Sequence, residues 1–152
     1  MKLQMIPQPH VMAGTNNANC FSPSSQPVVY WSAQADDRHL YHVKRIFGSD
    51  CETGSIAQGY AVQIGTIPGV SLEAEQKRCE ERLDAYSLYV GETGMLLCSL
   101  KASGLFYGLL TVEKILSERK GLPIGMRILD YADMEIRTDY WDLRSIHPLR
   151  TC

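Results

Sequence analysis

No run in the 152 residues approaches the roughly 20 consecutive apolar positions that a membrane-spanning helix requires. A basic excess is missing too: 15 Lys and Arg stand against 17 Asp and Glu, a formal net charge of −2. Nucleic acid and anionic membrane surfaces are bound through concentrated positive charge, so neither is an expected partner. The five cysteines, Cys20, Cys51, Cys79, Cys98 and Cys152, are widely scattered and form no Cys-x-x-Cys pair. That argues against a structural zinc site. Their odd number argues against a complete disulfide framework and favours reduced thiols in a cytosolic setting. Gly-x-Ser-x-Gly, Gly-x-Gly-x-x-Gly and a phosphate-cradling Gly-rich loop are absent, so no nucleotide cofactor or hydrolase elbow is indicated. The start, Met1 to Pro7, has no continuous apolar core of the kind a signal peptide carries.

What is there is ordinary for a globular domain: 45% hydrophobic and 21% charged residues, in a chain long enough to bury one core without metals or crosslinks. The most regular stretch runs from Asp84 to Leu116. Tyr86, Leu88 and Val90 alternate with Ser87 and Tyr89, which predicts a strand with one buried face. Gly91-Glu92-Thr93-Gly94 suits a short hairpin loop, and Met95 to Leu100 is a second run of strand length. From Leu105 the period changes. Leu105, Leu109, Val112 and Leu116 recur at helical spacing, with Ser103 a candidate N-cap and Gly121 and Pro123 a candidate stop. Gly104 and Gly108 in the first turns predict close packing of this helix on the sheet.

Elsewhere the punctuation is looser. Pro7, Pro9, Pro23 and Pro27 among Asn, Ser and Gln predict an irregular arm over 1–27. A short strand is expected at Val28 to Trp31, and a helix from Asp36 to Phe47, capped by Asp36 and ended by Gly48. Gly48 to Gly59 reads as a polar turn region, and Tyr60 to Thr66 as a strand. Ser71 to Leu83, with few apolar positions, predicts a largely solvated surface helix. Met126 to Asp130 and Glu135 to Asp142 read as extended segments.

Few residues suggest chemistry. His39 and His42 stand at i, i+3 with Asp36 a turn earlier, a geometry open to a metal. No Glu lies between them as in His-Glu-x-x-His and no third ligand is evident, so two surface histidines on an amphipathic helix is the expected state. Asp139 and Asp142 would project from opposite faces of a strand, which favours ion pairs with Arg137 and Arg144 over paired acid and base work. Trp31, Tyr140 and Trp141 are the aromatic surfaces that could stack on a sugar.

Tyr86-Ser87-Leu88-Tyr89-Val90, followed by Ser103-Gly104-Leu105-Phe106-Tyr107-Gly108 and on to Leu116, resembles the non-catalytic N-terminal domain of glycoside hydrolase family 20, the β-N-acetylhexosaminidases. Ile128 to Asp133, then Ile136-Arg137-Thr138-Asp139-Tyr140-Trp141-Asp142, looks like that family's linker and first barrel strand. Val112 stands for the usual Leu, Lys114 for Gln, Ala132 for Pro and Thr138 for Gly. The resemblance implies an α+β fold, a mainly antiparallel sheet with helices packed on one face. It divides the chain into an arm (1–27), an accessory domain (28–130), and a linker with the first strand of a missing (β/α)8 barrel (131–152). The Arg at the place of Arg137 grips hydroxyls of the terminal sugar in that family, a task suited to several fixed donors. The family's catalytic Asp-Glu pair has no counterpart before Cys152, and a barrel needs ~250 residues. The expectation is therefore a domain with no catalytic residues, no metal and no cofactor, whose partner is a downstream barrel on the same chain. Similar domains precede the barrels of O-GlcNAc hydrolases and α-glucuronidases, so substrate class is left open. The alternative is a stand-alone carbohydrate-binding or protein-interaction module.

Overall fold

The computed structural model describes residues 8–14, 18–23, 27–48, 53–56, 59–80, 82 and 84–133. In chain order the elements are β1 (Val11–Ala13), β2 (Cys20–Phe21), β3 (Val29–Ser32), α1 (Asp37–Phe47), β4 (Thr53–Ile56), β5 (Tyr60–Ile64), α2 (Leu72–Cys79), β6 (Tyr86–Val90), β7 (Met95–Ser99), α3 (Ala102–Glu118), β8 (Leu122–Pro123) and β9 (Arg127–Asp130). A seven-stranded sheet has the order β1-β9-β6-β7-β5-β3-β4, while β2 and β8 form a separate two-stranded ladder. Every pairing in the large sheet is antiparallel except β3 with β4. The fold is α+β with a mainly antiparallel sheet, as expected. No described helix is long and apolar enough to cross a membrane.

The β6–β7 hairpin sits at the centre of the sheet. Its register runs from Tyr86 opposite Ser99 to Val90 opposite Met95. The Gly91 N–H donates to the Gly94 carbonyl at 2.8 Å to close the loop. Gly94 is required there: a Cβ would lie 1.9 Å from the Ile64 carbonyl oxygen, where the hairpin tip meets the end of β5.

One face of the sheet carries the main core. Val62, Leu88, Leu97 and Ile128 meet Leu105, Leu109, Val112 and Ile115 of α3, with Val43 and Phe47 of α1 beside them. Each fully buried Leu of α3 contributes about 2 kcal/mol of transfer free energy. The helix begins at Ala102, a turn before the expected start. Ser103 is inside the helix and is not the cap; Lys101 takes that place and offers no side-chain bond. Instead the Ser99 hydroxyl accepts the Lys101 N–H at 3.0 Å from the end of β7. The close approach marked by Gly104 and Gly108 is present. A Cβ on Gly104 would lie 2.3 Å from both the Ala85 carbonyl oxygen and Ser99 Oγ, and one on Gly108 would lie 2.4 Å from a Leu97 methyl.

Three expectations are corrected. First, the 1–27 arm is not irregular throughout, since β1 and β2 pair with β9 and β8. Strands of two or three residues are too short to show a period. Second, the polar turn region holds β4, which the parallel pairing with β3 supports across a sequence with no strand alternation. Third, the helices do not all share a face. α1 and α3 cover one face, whereas α2 lies across the other, where Ala61, Ile67, Leu96 and Cys98 form a second cluster with partly buried Val70, Leu72 and Tyr89. Burial on both faces explains why all five residues of β7 are buried and why its sequence is a continuous apolar run.

Candidate functional site

Among the residues proposed from sequence, Arg137, Tyr140 and Trp141 lie outside the described residues, as do Asp139, Asp142 and Arg144. Trp31 is half-buried and packed against the main core from β3.

The two histidines are not surface residues. His39 is 1% exposed, and its Nε2 donates to the Ala102 carbonyl at 2.7 Å, joining the first turn of α1 to that of α3. Its Nδ1 faces the Asp36 backbone N–H at 3.1 Å and the Asp36 carboxylate at 2.6 Å. Both ring nitrogens are thus committed to protein groups. Asp36 caps α1 by accepting the Arg38 and His39 N–H groups. The Arg38 guanidinium, with its Nη2 2.6 Å away, holds the Asp36 carboxyl far below the usual carboxylate range. His42 is largely buried between α1 and α3, with Nδ1 3.3 Å from Glu113 Oε2 but outside hydrogen-bond geometry. Glu113 Oε1 is held by Arg45 Nε at 2.6 Å. No group of three or more His, Cys, Asp or Glu among the described residues can hold a metal ion.

The polar centre that sequence reasoning missed lies under α2. Glu75 is 3% exposed and accepts a short hydrogen bond from the Ser87 hydroxyl on β6. Its Oε1 is 3.2 Å from Arg127 Nη2 on β9, and Arg78 Nε is 3.9 Å from its Oε2. The Arg127 guanidinium in turn lies over the Tyr89 ring, 4.9 Å from its centroid. Next to this network the Cys79 thiol faces the Cys98 carbonyl at 3.8 Å. The contact between the two thiols lowers the Cys79 pKa from its ordinary value and, together with burial, pushes the Cys98 thiol far above its ordinary range. In sequence, Glu75 is hidden in a Glu- and Lys-rich helix and Ser87 in the polar phase of a strand. Nothing local distinguishes a buried carboxylate from a solvated one.

Chemically this arrangement is a structural ion pair. Glu75 is held by Ser87 and Arg127. A surface groove of about 670 Å³ runs along α2 past Ser71, Glu73, Gln76, Lys77, Glu80 and Leu100. A second, of about 500 Å³, passes Phe21, Tyr30, Ile64 and Thr93. Compared with protein families, curated proteins and solved structures, the chain shows no match.

Proposed function

We propose that the chain is the non-catalytic accessory domain of a glycoside hydrolase resembling the family 20 β-N-acetylhexosaminidases, and that it hydrolyses nothing by itself. The observation that carries this reading is the central hairpin and the helix after it. The motif residues Gly104 and Gly108 are the points where α3 presses on the Ala85 carbonyl and on Leu97. Tyr86, Leu88 and Val90 form the inward row beneath that helix. A motif spelled by packing constraints of this kind marks an architectural unit. The proposed partner is a catalytic barrel following on the same polypeptide, with Arg137 reaching a sugar hydroxyl only once that barrel is present.

Incubation of the purified 152-residue chain with an aryl N-acetyl-β-hexosaminide should give release no faster than buffer. Reproducible turnover from host-free material would sink the proposal, and so would a natural reading frame without a barrel beyond Cys152. The second reading, a carbohydrate-binding module, is favoured by one feature: Tyr30 is 44% exposed along the groove that Phe21 and Thr93 also line. Titration with chitooligosaccharides, followed by tryptophan fluorescence, distinguishes the two. Saturable binding supports the module and a flat response the accessory domain.

A further inference from the structure

At the β1 edge of the sheet, the His10 ring is held between two carboxylates. Its Nδ1 is 2.9 Å from Asp130 Oδ1 at the end of β9, and its Nε2 is 2.8 Å from Asp133 Oδ1 three residues further on. A neutral imidazole carries one N–H and one lone pair, so it can satisfy only one of these acceptors. The other contact would then set a nitrogen lone pair against a carboxylate oxygen. Only the imidazolium donates to both. The ring also stacks on Tyr131 at 3.6 Å between centroids, a placement that favours the cation. Among the described residues, the Arg82 guanidinium lies 4.1 Å from the Tyr131 ring centroid and pairs with Glu80 at 3.4 Å. From the core side, Asp130 faces the Tyr86 hydroxyl, which hydrogen-bonds Thr111 at 2.7 Å; burial of Tyr86 keeps that hydroxyl protonated.

What this cluster controls follows from how little else holds β1. The strand has three residues, Val11 is 43% exposed, and Met12 supplies its apolar anchor on the core. At its far end Gly14, at φ +72°, lies so close to Gly125 that a Cβ would meet the Gly125 carbonyl oxygen at 2.1 Å. The clasp fixes the near end. We propose that His10, Asp130 and Asp133 form a proton-dependent clasp that keeps β1 docked on β9. β1 then covers the β9 edge at acidic pH and is released from it as the pH rises.

The two aspartates raise the His10 pKa above its ordinary 6.5, chiefly through the hydrogen bond to Asp130 and then that to Asp133. A raised folded-state value means that the stabilisation is complete below 6.5 and is lost as pH climbs through the higher value. This inference stands whether or not the accessory-domain reading does.

The test combines NMR titration of the His10 ring with amide hydrogen exchange of Val11 to Ala13, expressed as protection factors, between about pH 5 and 9. In the wild-type chain, His10 should titrate above 6.5, and β1 protection should fall across the same midpoint while β6 and β7 stay protected. His10→Gln should lower β1 protection below the wild-type His10 midpoint, match the wild type above it, and remove the pH dependence. Asp133→Asn, at a side chain 78% exposed and so safe for folding, should shift the His10 midpoint downward. A His10 midpoint at or below 6.5, or β1 protection that does not change with pH, would overturn the proposal.

Discussion

Single atoms decide the fit between α3 and the sheet. Replacing Gly104 by Ala drives a methyl group to 2.3 Å from the Ala85 carbonyl, and backbone cannot yield as a side chain can. The Ala variant gains ~1 kcal/mol of helix propensity, but the overlap costs about 1–3 kcal/mol or more. Urea denaturation of Gly104→Ala should therefore show a net loss of stability. Gly108→Ala meets the far end of Leu97, which can rotate, so its loss should be smaller; equal stability of the two variants would contradict this account. The buried ion pair gives a second residue-scale expectation. Glu75 has a side chain only 4% exposed, whereas that of Arg127 is 34% exposed. Glu75→Ala leaves an Arg that can reach water, at a cost of about 1–3 kcal/mol. Arg127→Ala leaves a carboxylate that cannot, at about 3–5 kcal/mol. Chemical denaturation should rank Arg127→Ala as the more damaging.

Elements differ in how openly their sequences declare them. The α1 boundaries were legible because its signals are local: Asp36 accepts the N–H groups of the first turn and Gly48 follows the last. The β6–β7 hairpin was legible for the same reason, from alternation and a glycine-bounded loop. What stayed hidden depends on distant partners. β4 has no strand pattern and exists through its pairing with β3, and β1 through its pairing with β9. α2 is docked by Glu75 and Cys79 where an apolar stripe would be usual, so its periodicity pointed to solvent. His39 was misplaced because its burial is imposed by α3, 63 residues along the chain. The α1 cap also makes an element-scale prediction. Asp36 is held far below its ordinary 3.8, so its contribution is present above that pH and is lost as pH falls towards the folded value. Asp36→Ala should melt earlier than wild type at about pH 6, and the gap should narrow on acidification below about pH 4. Thermal melts followed by far-UV circular dichroism across that range would reveal it; a gap constant with pH would show that the charge plays no part.

At the scale of the whole molecule, the sheet has cores on both faces, and the question is whether they unfold together. The main core, under α1 and α3, is large and mainly apolar, while the second face is closed by the eight-residue α2 and a polar network. An isolated helix of that length is marginal in water, so α2 persists only through docking. Cys79 and Cys98 report on that docking, since Cys79 is buried at the end of α2 and Cys98 on the strand beneath it, and Cys20 is an exposed internal reference. If the two faces form one cooperative unit, an alkylating reagent should modify Cys20 in the native chain at once. It should reach Cys79 and Cys98 only through the urea concentrations of the global transition. If α2 lifts independently, Cys79 and Cys98 will be labelled well before the tyrosine fluorescence and far-UV signals change. We expect a single transition, because undocking α2 strips Glu75 from Arg127 and Ser87 while exposing Leu96 and Cys98 in the middle strand. That combined cost is comparable to the whole stability of a domain of this size, about 5–15 kcal/mol. Peptide-resolved mass spectrometry of the labelled chain measures it directly, and early modification of Cys98 would be decisive against a single unit, because β7 lies at the centre of both cores.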